Sequence, residues 1–382
     1  MVPQPDQPSQ PAPQGAAGEP RLHKFFRAMT KQKASDLHLK AGTVPHIRLQ
    51  TRILPAAGKP LAGRDIAEMA DEILDDRERA FLRDHGSIDV AEELAGSDRF
   101  RINVYRQRGQ ISIAVRRVSR EIPTFEELHL PPQVRSIAEH HAGLILVAGI
   151  TGAGKSTTIA AMLEHINRTR ACHIVTIEDP IEYLYTDSKA LVDQREVGID
   201  VPDFQSALKY LMREDPDVVL IGEMRDRETF QAALQAAETG HLVFGTIHAS
   251  GASSTVSRIL DLIPPESREL ARQGLAFNVR AIICQRLLPC LAEGIDRVPA
   301  VEVLRANPSV RQLIEEGRES ELIEVIRSAG QEGMQDFNQS LLELIEKDYV
   351  DPKIAYEAAT NPDELKMLMK GISSSRAGLL GR

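Results

Sequence analysis

Tryptophan is absent from the 382-residue sequence, and aromatic residues together make up only 4% of it. Proteins that bind single-stranded nucleic acid usually stack the bases on aromatic side chains along a basic groove. The formal net charge of −9 provides no broad basic surface, and phosphate backbones are bound chiefly by lysine and arginine. We therefore expect no nucleic-acid partner.

Cysteines and long apolar runs are also scarce. Cys172, Cys284 and Cys290 are too few and too scattered for a disulfide framework or a four-cysteine zinc site, which favours free thiols in a reducing cytoplasm. The longest apolar run, residues 143–150, is far shorter than the ~18 residues that span a bilayer. The N-terminus lacks the basic and apolar blocks of a secretory signal. We expect a cytoplasmic protein with no integral membrane segment.

Changes of composition divide the first third of the chain. Residues 1–20 hold six prolines and four glutamines and little that could be buried, which predicts a disordered tail. Residues 21–118 mix short alternating strands with helical stretches and predict a small α/β domain. Three prolines mark residues 119–132 as a linker.

From residue 133 the pattern changes to apolar stretches that alternate with helical ones. The apolar stretches are residues 143–149, 173–179, 217–223 and 241–248. Near-continuous apolar strands separated by helices are typical of a mostly parallel sheet covered on both faces. We therefore expect an α/β core over residues 133–298. Residues 299–370 are predicted to be helical, and residues 371–382 to form a flexible tail.

The stretch GITGAGKST, residues 149–157, fits the pattern G-x-x-x-x-G-K-[ST]. Its glycines let backbone N–H groups converge on phosphate oxygens, and the start of the next helix adds partial positive charge. We expect Lys155 to reach the β- and γ-phosphates of a nucleotide and the Ser156 hydroxyl to bind Mg²⁺. The residues expected to hold the nucleotide in this loop are Gly149, Thr151, Gly152, Ala153, Gly154, Lys155, Ser156 and Thr157.

Two later apolar stretches end in acids. DPDVVLIGE delivers Glu223, which we expect beside Mg²⁺ and the attacking water. IVTIEDPIEY delivers Glu178 and Asp179 to the carboxyl end of a strand, where the sites of open α/β sheets lie. One of these two carboxylates would orient water, and the other would hold Mg²⁺ or a neighbouring residue. Helix capping and a salt bridge are the alternative roles.

The stretch TGHLVFGTIHAS places His241 and His248 at opposite ends of one strand. His248 follows the carboxyl end, so we expect it to sense the γ-phosphate, although a packed core position is the alternative. For His241 a nucleotide contact and a core position both stay open. Neither histidine lies in a zinc-binding pattern.

Arginines recur on the two strands predicted within residues 99–117. They are Arg99, Arg101, Arg106, Arg108, Arg116 and Arg117. Phosphoryl transfer needs cations against the γ-phosphate, and such arginines often come from a neighbouring subunit. Some of these positions are ordinary solvated ones. Arg213 offers the same charge from within the core domain.

Together these blocks resemble the type II/IV secretion ATPase superfamily, and more closely the PilT-type retraction ATPases of the type IV pilus. The resemblance runs from about residue 21 to about residue 370. The strings that carry it are SDLHLKAG, GSID, RFRINVYRQRG, IPTFEELHLP, GITGAGKSTT, CHIVTIEDPIEY, REVG, REDPDVVLIGEMRD, AAETGHLVFGTIH and GMQDFNQSL.

The resemblance implies a PAS-like N-terminal domain and a RecA-like core, assembled as a homohexameric ring. ATP would lie between the two domains of a subunit, and domain rotation would dismantle a pilus fibre. The ring would act on an inner-membrane platform protein of the pilus machinery, at the cytoplasmic face of that membrane. The residues that match the family's nucleotide-site positions are Gly154, Lys155, Ser156, Thr157, Glu178, Asp179, Glu223, His241, His248, Arg101, Arg116 and Arg213.

Two positions depart from the family pattern. Lys209 stands where a second arginine usually precedes Arg213 by four residues, and lysine lacks the bidentate fork of arginine. The box SVRQLIEE, residues 309–316, has Glu315 in place of an arginine, in a region tied to retraction.

Three other functions remain as alternatives. A pilus assembly or type II secretion ATPase usually carries an extra N-terminal domain and a four-cysteine zinc subdomain, and neither is found before residue 35 or among the cysteines here. A RecA-like nucleic-acid translocase conflicts with the acidic charge. An accessory ring that binds ATP without hydrolysing it conflicts with the presence of Lys155, Glu223 and His248.

Overall fold

The computed structural model describes residues 19–49, 52–94 and 97–371. The chain divides into two compact units, residues 1–120 and residues 121–382. The tails expected at residues 1–20 and 371–382 lie outside the described residues, apart from Glu19, Pro20 and Gly371.

The first unit is a sheet with helices before and between its strands. The sheet is antiparallel, in the order β3-β2-β1-β6-β5-β4. Its elements are α1 His23–Gln32, β1 Asp36–Leu39, β2 His46–Leu49, β3 Arg52–Pro55, α2 Gly63–Ile73, α3 Asp76–His85, β4 Ser87–Glu93, β5 Arg99–Gln107 and β6 Gln110–Val118. Strand order and helix placement match the expected PAS-like α/β domain.

The core of the first unit follows from strict alternation along β5. Phe100, Ile102 and Val104 are buried on one face of this strand. The ring of Phe26 from α1 stacks on Phe100 with a centroid distance of 4.3 Å. Alternate residues point to opposite faces of a strand, so Arg99 and Arg101 occupy the face away from this core.

The second unit is built on a mixed sheet in the order β13-β12-β7-β11-β10-β8-β9. All neighbouring pairs are parallel except β12 and β13. Its elements up to the last strand are α4 Gln133–Ala138, β7 Gly143–Ala148, α5 Lys155–Thr169, β8 His173–Glu178, β9 Leu191–Glu196, α6 Phe204–Leu211, β10 Val218–Ile221, α7 Arg227–Glu238, β11 Leu242–Ile247, α8 Ala252–Asp261, α9 Pro265–Asn278, β12 Val279–Pro289 and β13 Arg297–Arg305. The predicted parallel α/β core is confirmed.

Buried side chains explain the apolar strands. Every residue of β7, β10 and β11 is buried, because helices cover both faces of the sheet and form two hydrophobic clusters. The carboxyl ends of β7, β8, β10 and β11 meet at one edge of the sheet. That edge carries the glycine loop and the acid-ended stretches.

Helices follow the last strand. They are α10 Pro308–Glu315, α11 Leu322–Ser328, α12 Phe337–Glu346, α13 Pro352–Ala358 and α14 Pro362–Met369. The start of α14 follows from its sequence: the Asn361 side chain accepts a hydrogen bond from the Glu364 N–H at 3.2 Å. Among the described residues, every helix is too short or too polar to span a bilayer.

The expectation that the chain is helical from residue 299 is wrong at its start. β13 crosses that boundary and pairs with β12 along Ala281–Pro289. A short apolar run cannot be assigned to strand or helix from periodicity alone. The edge strand β9 was also missed, since its residues LVDQRE are mostly polar.

Candidate active site

The glycine loop joins β7 to α5 at the centre of the sheet. A Cβ at position 149 would lie 2.8 Å from both the Gln285 carbonyl oxygen and the Ala153 Cβ, so only glycine fits there. Gly154 adopts the left-handed region, with φ of 87°, and leads directly into α5. The backbone therefore turns sharply and leaves the first N–H groups of α5 at the mouth of the loop. Unpaired N–H groups at a helix start form an anion site.

Lys155 lies over this loop. Its Nζ donates hydrogen bonds to the carbonyl oxygens of Gly149, at 2.9 Å, and Ile150, at 3.1 Å. Only 9% of the residue is exposed. Burial lowers the pKa of its ammonium group, and the nearby Glu223 carboxylate opposes that shift. The ammonium group is thus held where a phosphate oxygen could replace a loop carbonyl as its partner.

The first turn of α5 presents hydroxyl groups with different surroundings. Ser156 is exposed. The Thr157 hydroxyl lies 3.1 Å from the Tyr183 hydroxyl, and the Thr158 hydroxyl accepts a hydrogen bond from the Gln285 amide at 2.9 Å. Ser156 is therefore available to a ligand, whereas its neighbours fix the turn to β12 and to the segment after β8.

Glu178 ends β8 in a buried position. Its carboxylate accepts hydrogen bonds from the Thr176 hydroxyl at 2.8 Å and from the Gln194 amide at 3.2 Å. Burial nevertheless dominates and raises the pKa of Glu178 to about 7. A carboxyl with a pKa near neutrality can accept and release a proton at physiological pH. Asp179 follows it and is exposed.

Glu223 follows β10 and lies in a different electrostatic setting. Its oxygens pair with the Arg225 guanidinium at 2.6 Å and with His248 Nε2 at 3.1 Å. The hydrogen bond from Arg225 is the main reason that the pKa of Glu223 is lowered. The pKa of Glu178 is thus raised while that of Glu223 is lowered. Such a difference suits one carboxyl to accept a proton and the other to stay charged.

Gly222 lets these two acid-bearing strands come together. Its N–H donates to the Ile177 carbonyl at 2.8 Å, and a Cβ at position 222 would lie 3.0 Å from that oxygen. A side chain at this position would push β10 away from the end of β8. The close approach brings the residues after β10 beside Glu178.

The oxygen atoms of Ser156 and Glu223 suit Mg²⁺, as the protein ligands of a nucleotide-bound Mg²⁺ usually do. An exposed serine hydroxyl and an ionised carboxylate, from Ser156 and Glu223, are hard oxygen ligands. Mg²⁺ usually takes one or two protein carboxylates, several waters and substrate phosphates rather than an all-protein cage. Consistent with this, no group of three or more His, Cys, Asp or Glu side chains within residues 19–49, 52–94 and 97–371 is arranged to hold a metal by itself.

The two histidines of β11 are separated by the whole strand. His248 joins the site through Glu223, as described above. His241 precedes the strand, and its Nδ1 lies 2.9 Å from the Ala236 carbonyl oxygen and 3.0 Å from the Thr239 hydroxyl. The intervening strand of six residues spans about 20 Å. His241 is therefore not brought to the phosphate loop of its own unit.

The three arginines expected at the nucleotide also lie apart from the loop or in the other unit. Arg213 precedes β10, at the opposite edge of the sheet from the loop, with its guanidinium 5.7 Å from the Tyr210 ring centroid. Arg101 and Arg116 oppose each other on β5 and β6 of the first unit. Arg116 pairs with Asp36 at 2.9 Å. Their contact with a nucleotide stays a prediction.

Sequence reasoning missed the residues that tune the two acids. Arg225 stands two residues after Glu223 in GEMRD, so an arginine directly after an acid-ended strand was the available signal. Gln194, which donates to Glu178, had no such signal, because it lies on the unpredicted strand β9.

Two cavities flank the loop within the second unit. One, of about 350 Å³, lies beside Gly154 and Thr157 and includes the apolar side chains of Leu128, Leu287 and Ile295. The other, of about 720 Å³ and more open, lies between Thr151, His248 and the serines of α8. The phosphate loop thus has a hollow on each side, and both hollows are lined by polar as well as apolar side chains.

The phosphate loop follows the central strand β7, and one strand, β11, separates β7 from β10. Acidic residues follow or end the neighbouring strands β10 and β8. These features define a nucleotide-binding protein with a RecA-like core. Residues 125–350 match the family model described as "Type II/IV secretion system protein". The chain belongs to the type II/IV secretion system protein family. This confirms the family and the fold class expected from the sequence.

Individual relatives cover nearly the whole chain. The "Type IV pilus retractation ATPase PilT" of Pseudomonas aeruginosa is 39% identical over 333 residues, which are 87% of this chain and 96% of that protein. The "Twitching motility protein" of Neisseria gonorrhoeae is 40% identical over 80% of this chain and 81% of its own length. The crystal structure of "the Pilus Retraction Motor PilT and Bound ADP" superposes with a TM-score of 0.83 and 41% identity. It covers 91% of this chain and 99% of that one.

Proposed function

We propose that this protein hydrolyses ATP to ADP and phosphate as a homohexameric motor, and that it powers retraction of a type IV pilus. The observation that carries the ATPase is that Lys155 of the phosphate loop lies at the same sheet edge as Glu178 and Glu223, two acids whose pKa values shift in opposite directions. Retraction rests on the similarity to a pilus retraction ATPase over 87% of the chain. In this proposal the motor lies at the cytoplasmic face of the inner membrane, where it acts on a platform protein of the pilus.

In this proposal the nucleotide binds to the loop and to the smaller cavity beside it. Backbone N–H groups at residues 151–157 bind the phosphates, and Lys155 reaches the β- and γ-phosphates. Ser156 and Glu223 would hold Mg²⁺, which would neutralise charge on these phosphates. The cavity of about 350 Å³ beside Thr157 accepts the base, because Leu128, Leu287 and Ile295 offer apolar contact.

The chemical step uses the contrast between the acids. Glu178, with a pKa of about 7, accepts a proton from the attacking water while the oxygen of that water bonds to the γ-phosphorus. The bond from that phosphorus to the ADP oxygen breaks. Glu223 stays ionised beside Arg225 and orients the water. His248, 3.1 Å from Glu223, senses the γ-phosphate, and loss of that phosphate changes the position of α8, which follows His248 in the chain.

A ring explains the residues that lie away from the loop. Arg213 and His241 occupy the sheet edge opposite the phosphate loop of their own unit. Neither can reach that loop without crossing a strand, but each can face the loop of a neighbouring subunit. Arg101 and Arg116 would supply further charge from the first unit, because arginines from adjacent domains or subunits are a common way to stabilise phosphoryl transfer.

The test has a biochemical and a cellular part. The purified protein should release phosphate from ATP in the presence of Mg²⁺, and Lys155→Ala should abolish this release. Glu346→Gln, at an exposed position of α12, serves as the control. In the host, deletion of the gene should leave cells with excess surface pili and no twitching. An inactive wild-type protein contradicts the ATPase proposal.

A second candidate function is pilus assembly. Glu315, on α10, reverses the charge of an arginine in the box tied to retraction, and it is exposed. Deletion distinguishes the two functions, because loss of surface pili rather than excess would assign the protein to assembly.

A further inference from the structure

The loop that leads from His248 into α8 is held by the neighbouring strand β13. α8 begins at Ala252 after Gly251, which has no side chain to cap the helix. Glu302 of β13 supplies the acceptor: its Oε1 lies 2.6 Å from the Ala252 nitrogen, which donates the hydrogen bond. A Cβ at position 251 would lie 3.2 Å from the same oxygen, so the glycine leaves room for the carboxylate.

A second side chain holds the same loop from β12. Arg286 Nη2 donates to the Ser250 carbonyl at 3.2 Å. The loop is therefore bound at a carbonyl by a guanidinium and at an amide by a carboxylate. Ser250 and Ala252 lie two and four residues after His248, so fixing both limits where the imidazole can lie.

The same two strands connect this loop to the C-terminal helices. Arg286 also donates to the carbonyl of Ala358, at the end of α13. Its guanidinium lies 4.1 Å from the ring centroid of Phe337, the first residue of α12. Next to Glu302, the Val301 N–H donates to the Ser340 hydroxyl of α12 at 3.0 Å. A shift of α12 or α13 would therefore move the groups that hold the loop.

The charges around Glu302 agree with a specific role. Only 5% of the residue is exposed. Burial raises the pKa of Glu302 to about 7; Asp336 acts in the same direction, while the Ala252 N–H, Arg286 and Arg327 oppose the shift. A buried carboxyl is unfavourable unless its oxygens are hydrogen-bonded, and its bond to the first turn of α8 meets that need.

We propose that Glu302 and Arg286 are positioning residues for His248. Together they clamp residues 250–252, so that the C-terminal helices α12 and α13 set the position of His248 against Glu223. This inference rests on the proposed ATP hydrolysis, in which His248 senses the γ-phosphate.

The test compares steady-state ATP hydrolysis of the wild type, Glu302→Ala and Glu302→Gln. Glu302→Ala should lower kcat about tenfold or more, because small displacements of a reacting group are costly. The KM for ATP should change by less than about threefold, since the phosphate loop is untouched. Glu302→Gln keeps an oxygen that accepts from Ala252, so its kcat should stay within about threefold of the wild type.

A double variant separates positioning from general damage. If Glu302 acts through His248, then Glu302→Ala should cause no further loss of kcat in a His248→Ala background. Arg272→Lys is the matched control, because Arg272 pairs with Glu319 and donates to the Ile314 carbonyl, through contacts that involve neither Glu302 nor residues 250–252. It should lower the Tm and leave kcat within about twofold.

Three outcomes would overturn the inference. These are an unchanged kcat in Glu302→Ala, a loss of kcat that adds fully to the loss in His248→Ala, and an equal loss of kcat in Arg272→Lys. If Glu302→Ala does not fold, Arg286→Lys carries the same test, since lysine loses the fork that joins Ser250 to Ala358. Its kcat should fall at least about threefold, and only where His248 is present. An inactive wild type would refute the proposed function instead.

Discussion

Replacing Glu178 with glutamine should remove catalysis and, at the same time, give a stability advantage over the wild type that grows as the pH rises. The carboxyl is buried at the end of β8, and its pKa is raised from 4.5 to about 7. Burial therefore favours the protonated form in the folded state. Glutamine is uncharged at every pH, so it does not carry the cost of burying the carboxylate.

The sign follows from proton binding. Between the unfolded pKa of 4.5 and the folded pKa of about 7, the folded state binds more protons than the unfolded state, so the free energy of unfolding falls as the pH rises. The full loss above both values is about 3 kcal/mol. Between pH 6 and pH 8 the loss from this group alone is about 1 kcal/mol. For a unit of this size that corresponds to a Tm difference of about 2–4 °C.

The assay is thermal unfolding of the nucleotide-free wild type and Glu178→Gln at pH 6 and pH 8. The variant keeps the oxygen that accepts from Thr176 and Gln194, but its amide cannot accept the Glu182 backbone hydrogen bond. That penalty is independent of pH, so it cancels when the two pH values are compared. The Tm advantage of the variant should therefore be larger at pH 8.

Glu346→Gln, at an exposed site of α12, is the control and should show the same difference from the wild type at both pH values. If the advantage of Glu178→Gln is equal at pH 6 and pH 8, or larger at pH 6, the carboxyl is not held protonated by burial. The assignment of Glu178 as the proton acceptor would then be wrong.

Gly149→Ala should weaken ADP binding about tenfold or more while the fold is retained, because its Cβ would meet the Gln285 carbonyl at 2.8 Å; titration with a fluorescent ADP analogue checks this, and wild-type affinity would contradict it. Glu223→Gln should lower kcat roughly 100-fold with ATP binding preserved; unchanged phosphate release would show that another group orients the water. Mixed rings of Arg213→Ala and Lys155→Ala subunits should recover ATP hydrolysis that neither variant has alone, since some sites then combine an intact Lys155 with a neighbour's Arg213; no recovery on mixing would argue that Arg213 does not act between subunits.

The phosphate loop and the acid-ended strands were predictable because their signals are local. A glycine-rich turn between an apolar strand and a helix has few alternative uses, and buried parallel strands appear as continuous apolar runs. The positions of Glu178 and Glu223 at one sheet edge followed from the rule that parallel strands end together. The elements β12 and β13 could not be assigned in this way, because an apolar stretch is compatible with helix or strand until its neighbours are known.

Contacts between residues that are far apart in the sequence could not be predicted from local sequence patterns. Gln194 tunes Glu178 through a contact that requires β8 and β9 to be side by side. Glu302 reaches α8 over 50 positions of sequence. Conversely, His241 and Arg213 were expected at the nucleotide, but the fold places them at the opposite edge of the sheet from their own loop.

The sequence by itself determined that a phosphate is bound, which residues form the loop, and to which family the chain belongs, because these depend on residue types at fixed spacing. Only the tertiary structure decided which acid is protonated near neutrality. Burial raises the pKa of Glu178, while Arg225 lowers that of Glu223, and both effects depend on distance and exposure rather than on spacing along the chain. The same holds for the link from the C-terminal helices to His248, which exists only because β13 lies beside α8.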